Sequence, residues 1–140
     1  MVSKEILIHE GIQKVYETVE NTLRSTFKAK GELLGAEHIY KMPQIKGEVK
    51  IRQVVSRKEE NEILSFDSYW GKDKVVTTYS FTSDDPEFTK VRLEEKAYSA
   101  STLRNYNYMF MSLPILRSGS MKKIERQLVN LKQMIEGENK

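Results

Sequence analysis

The sequence predicts an α+β domain in which a curved antiparallel β-sheet wraps around a long C-terminal helix. Three observations carry that expectation. A helical stripe follows a short N-terminal strand. Five period-two runs, separated by short polar turns, fill the middle of the chain. A second helical stripe ends it. A sheet with one dry face needs a covering layer, and the final helix is the element long enough to supply it. The N-terminal strand is free to close a sheet edge.

Lys4–His9 reads as that strand, with Ile6 and Ile8 on one face and Leu7 on the other. The period then changes. Ile12, Val15, Tyr16, Val19, Leu23 and Phe27 form one stripe of a helix running to Lys28, and Gln13, Lys14, Glu17, Glu20, Asn21 and Arg24 make its wet side. Gly31 and Gly35 punctuate the link that follows, with Leu33-Leu34 as a short apolar turn. Ala36–Met42 is a strand ended by Pro43. Gly47–Arg57 sets Val49, Ile51, Gln53 and Val55 against Lys50, Arg52, Val54 and Ser56. Glu62–Trp70 sets Leu64, Phe66, Ser68 and Trp70 against Ile63, Ser65, Asp67 and Tyr69. Lys74–Thr82 sets Val75, Thr77, Tyr79 and Phe81 against Val76, Thr78 and Ser80. Ser83-Asp84-Asp85-Pro86 is a turn, and Thr89–Ser99 sets Val91, Leu93, Glu95 and Ala97 against Lys90, Arg92, Glu94 and Lys96. Short turns between alternating runs specify an antiparallel meander with one dry and one wet face. Helical spacing returns at Leu103, Tyr106, Phe110 and Leu113, is broken at Pro114–Ser120, and resumes as Met121, Ile124, Leu128, Leu131 and Ile135 over about Gly119–Glu136.

Composition narrows the class. At 140 residues the chain is one domain, spanning 1–140, and large enough to bury its own core. Its 39% hydrophobic and 31% charged residues exclude both a disordered chain and a membrane protein. No apolar run reaches the roughly 20 residues of a spanning helix, and the N-terminus has no signal-peptide pattern. The expectation is a soluble cytoplasmic protein without membrane insertion. The absence of cysteine removes disulfides, thiol nucleophiles and thiolate metal sites. Net charge is only +3. Its one uneven stretch, Arg104, Arg117, Lys122, Lys123, Arg126 and Lys132 against Glu125 alone, reads as the wet face of the last helix. No nucleic-acid partner is expected.

The helix directly after strand one (Gly11-Ile12-Gln13-Lys14-Val15-Tyr16) and the hairpin Ser83-Asp84-Asp85-Pro86 leading into Lys90-Val91-Arg92-Leu93-Glu94-Glu95-Lys96 carry a resemblance. The chain resembles the START-like (SRPBCC) superfamily typified by the birch-pollen allergen. It is most similar to an uncharacterised bacterial family of unknown function within it. The resemblance spans nearly the whole chain in element order. It implies a helix-grip fold, and with it a cavity between sheet and C-terminal helix of the kind that takes lipids, sterols, polyketides or plant hormones. Two departures stand out. Only Lys30–Gly35 is available for the superfamily's second helix, and Pro114–Ser120 interrupts its long last one.

The dry face supplies the cavity candidates: Gln53, Leu64, Phe66, Trp70, Tyr79, Phe81, Leu93 and Glu95 from the sheet, and Tyr106, Met109, Phe110 and Leu113 from the facing helical segment. Large aromatic and Met side chains suit an apolar ligand. Glu95 and Gln53 are polar residues in register with apolar ones, so the pleat turns both inward. A buried carboxylate must be protonated, bridged or wet. His9 and His38, each beside an acid, read as surface residues at strand ends. No metal-ligand spacing, catalytic triad or phosphate loop is present, so no catalytic residue, metal or cofactor is assigned.

The function expected is binding of a small apolar or amphipathic ligand beneath the C-terminal helix. Two alternatives come from other classes. One is an interaction or regulatory module with a filled core, docking a partner through the last helix. The other is a cyclase- or hydrolase-type enzyme using Glu95 as a cavity acid.

Overall fold

A computed structural model of the chain describes residues 2–44, 47–70, 73–98 and 120–137. The elements run β1 (Val2–Ile8), α1 (Ile12–Phe27), β2 (Glu37–Gln44), β3 (Gly47–Glu59), β4 (Ile63–Trp70), β5 (Asp73–Asp85), β6 (Phe88–Tyr98) and α2 (Ser120–Gly137). The strands form one antiparallel sheet in the order β1-β6-β5-β4-β3-β2, which curves around the two helices. The meander β2 to β6 follows chain order, and β1 returns to close the free edge of β6.

Alternation divides the sheet as the pleat requires. Ile51 and Val55 of β3, Leu64 of β4, Val75 and Phe81 of β5, and Val91, Leu93 and Ala97 of β6 are buried on the inner face. Arg52, Lys90, Arg92 and Lys96 stand exposed on the outer one. The stripe of α1 (Val15, Tyr16, Val19, Leu23, Phe27) and that of α2 (Ile124, Leu128, Leu131, Ile135) meet this face in a single core with Ile8 of β1. Both helices therefore cover the sheet. That differs from the expectation of one covering element. The last helix packs chiefly along β1, with further contacts to β6 and α1. It sits over one end of the sheet, and α1 shares the rest.

Polar contacts fix this docking. Lys132 Nζ donates to the Leu7 carbonyl at 2.9 Å and also binds the Glu136 carboxylate. Glu136 Oε2 accepts the His9 backbone N–H at 3.1 Å. On β3, a register shift between Val55 and Arg57 places Lys58 opposite inward-facing Leu64. Lys58 Nζ then meets Glu20 of α1 at 3.2 Å.

Boundaries differ from the pattern reading at three places. Pro43 lies inside β2, opposite Glu48, because β2 is the outermost strand and its free side asks no donor of the ladder. β5 continues through Asp85, and a register shift between Thr82 and Asp85 absorbs the turn-forming residues, leaving only Pro86 and Glu87 to reverse the chain. Strand β3 likewise runs to Glu59, and Asn61, with φ 60°, makes the turn into β4. No helix forms between α1 and β2. The break expected at Pro114–Ser120 lies outside the described residues apart from Ser120, which opens α2.

Candidate ligand-binding site

Among the described residues, α2 lies over the β1 end and leaves space against the inner face of β2 to β5 beneath α1. A cavity of about 510 Å³ occupies that space. From the helices it takes Val19, Leu23 and Phe27 of α1 and Leu131 of α2, all buried. The sheet contributes His38, Gln53, Phe66 and Tyr79, one residue each from β2, β3, β4 and β5. Thr22, Thr26, Gln127, Asn130 and Met134 line it from the exposed flanks of the two helices and form the rim.

Register builds the polar side. His38 lies opposite Gln53, and Gln53 lies opposite Ser68. Facing pairs share a sheet face, so the three make a row. Gln53 Nε2 donates to Ser68 Oγ at 3.0 Å, and His38 Nε2 is 2.6 Å from Gln53 Oε1. The His38 ring is edge-on to Phe27, centroids 4.5 Å apart, and Phe27 is edge-on to Phe66 at 5.7 Å. Aromatic edges and a hydrogen-bonded chain together hold the imidazole in one orientation.

Tyr79 is the other polar group of the wall. Burial, and then the nearby Glu95 carboxylate, push its hydroxyl up to about 12. Both effects disfavour a phenolate, so Tyr79 is a neutral hydroxyl at physiological pH. Glu95 itself is 3% exposed and lies opposite Thr77 on the inner face. It sits close enough to Tyr79 to act on it electrostatically, but outside the residues lining the cavity.

The sequence candidates are thus distributed unevenly. Gln53, Phe66 and Tyr79 line the cavity. Leu64, Phe81 and Leu93 are buried in the adjoining core, with the Phe81 ring edge-on to Tyr16 at 5.5 Å. Trp70 ends β4, and its side chain lies outside the described residues, as do Tyr106, Met109, Phe110 and Leu113. His9 is exposed and stacked on Phe88. His38 corrects the pattern reading, since it is partly buried and faces the cavity. Its neighbour Ile39 misleads, being 57% exposed on the outer face of an edge strand. The rim residues sit at the margins of helical stripes, where periodicity marks polar side chains only as solvated. Among the described residues, no group of three His, Cys, Asp or Glu could hold a metal ion. No helix there is long and apolar enough to cross a membrane.

Neither a family model nor a curated protein matches the chain. Solved structures do. A protein of Thermus thermophilus shares 16% identity at a TM-score of 0.65, covering 99% of both chains. The Zhui aromatase/cyclase of Streptomyces sp. R1128 shares 9% identity at 0.60, over 96% of this chain and 94% of its own. A polyketide-cyclase-like protein of Corynebacterium glutamicum shares 16% at 0.58, over 99% and 92%. The fold is the helix-grip fold. These neighbours share that fold with this chain. At such identities the likeness concerns the fold, and function has to be argued from the site.

Proposed function

We propose that this helix-grip protein binds a small apolar or amphipathic molecule in the cavity between α1, α2 and the β2–β5 face. One observation carries the reading: about 510 Å³ of space is walled by Val19, Leu23, Phe27 and Leu131 from the helices and by Phe66 beside the polar groups His38, Gln53 and Tyr79 from the sheet. Its size falls in the range of small-molecule sites, as does its pairing of apolar walls with a few placed polar groups. Burial of the ligand's apolar surface supplies the affinity, at roughly 25 cal/mol per Å² before the costs of association. Gln53, His38 and Tyr79 orient it.

Native mass spectrometry of freshly purified protein tests this, together with a melting-temperature screen against lipids and aromatic compounds. A co-purifying small molecule, or a raised melting temperature for one compound class, is expected. An empty protein that no compound in the panel stabilises sinks the reading. Leu131→Phe is the matched control. It projects extra volume into the cavity, so it should abolish any melting shift while the unliganded protein stays folded.

A further inference from the structure

The geometry points to His38 as the anchor for the polar end of the ligand, through its Nδ1 nitrogen, and to an uncharged, mainly apolar molecule bearing a hydroxyl or N–H group as the class that fits. This rests on the ligand-binding reading above and deepens it.

The assignment follows from hydrogen-bond bookkeeping. Gln53 uses its Nε2 to donate to Ser68 Oγ at 3.0 Å. Its Oε1 is therefore the end presented to His38, at 2.6 Å, and an amide oxygen can only accept. His38 Nε2 must carry the proton. In the uncharged ring, Nδ1 is then a lone pair able to accept one hydrogen bond. Among the described residues none is hydrogen-bonded to Nδ1. Gln53 and Ser68 are positioning residues, fixing the tautomer and, with the Phe27 edge, the plane of the ring.

The described walls bear on the charge of the ligand. Among the described residues lining the cavity there is no Lys, Arg, Asp or Glu. A charged ligand would lose its hydration without meeting a counter-charge from those residues, a heavy penalty. The polar groups of the rim among the described residues are the uncharged Thr22, Thr26, Gln127 and Asn130. An alcohol, phenol or indole-type donor avoids the penalty and gives Nδ1 its partner.

The test uses two probes of nearly equal shape, 2-naphthol and 2-methoxynaphthalene, at about pH 7.5, where an ordinary imidazole is mostly neutral. Isothermal titration gives affinities, and ¹⁵N spectra of histidine-labelled protein report the ring nitrogens. His9 is the only other histidine, so His9→Gln assigns the signals. The expected result is roughly tenfold tighter binding of the naphthol. The His38 Nδ1 resonance should be of the unprotonated type in the free protein and shift on naphthol addition alone. His38→Phe should bind both probes alike, and Gln53→Leu should narrow the difference while still binding the ether. Equal affinities in the wild type, or a proton found on Nδ1, overturn the anchor but leave the cavity reading standing. Failure of both probes to bind overturns both. Should His38→Phe not fold, the wild-type affinity ratio and spectra decide.

Discussion

Single residues show where alternation is informative and where it is not. Gln53, Phe66 and Tyr79 are legible in the sequence as inward-facing because each shares parity with buried aliphatic or aromatic neighbours such as Ile51, Leu64 and Phe81. His38 is not. Its strand is an edge strand whose outer face carries Ile39, so hydropathy points the wrong way. Pairing with Gln53 decides its direction, and pairing is a property of the sheet. Tyr79 supports a prediction at this scale. An unfolded tyrosine loses its proton near pH 10 and this one near 12. The folded state thus holds the proton longer, and the associated stability is fully present below about pH 10 and is lost as pH rises toward 12. Tyr79→Phe should remove that part of the alkaline decline, about 2–3 kcal/mol by linkage. Urea denaturation of both proteins from pH 9 to 12 checks it. Parallel curves would refute it.

At the scale of elements, both helices were readable because their stripes run for about four turns, and α1 buries Val15, Tyr16, Val19, Leu23 and Phe27 of its stripe and α2 buries Ile124, Leu128, Leu131 and Ile135. The ends were less so. Lys28 closes α1 in the left-handed region with φ 51°, a place where glycine is favoured. Lys28→Gly should therefore raise stability by about 0.5–1 kcal/mol, read from the denaturation midpoint, with helicity unchanged. In α2, Ile124 is fully buried, and Ile124→Ala should cost about 2–4 kcal/mol by lost transfer energy and the void left behind. The clasp on β1 makes a pH prediction. The hydrogen bond from Lys132, then that from the His9 backbone N–H, holds the Glu136 carboxyl below its ordinary value. Its contribution is present above the unfolded value and is lost as pH falls through the lowered one. Glu136→Gln should weaken the protein at neutral pH and flatten its acid limb between about pH 5 and 3, as followed by circular dichroism.

For the whole molecule, element order and alternation specify an antiparallel sheet with helical cover, since only a few layer arrangements bury such faces. They do not specify that α2 would sit over the β1 end, because that depends on contacts such as Lys132 to Leu7 that join residues 125 apart in the chain. Among the described residues the cavity lies beside this offset and shares its illegibility. Strand β2 carries the imidazole, and among the described residues it has a hydrogen-bonded neighbour on one side only, β3. Peripheral strands open most readily to solvent. Occupancy should thus register first as slowed amide exchange along Glu37–Gln44, giving a reporter of binding that needs no knowledge of the occupant.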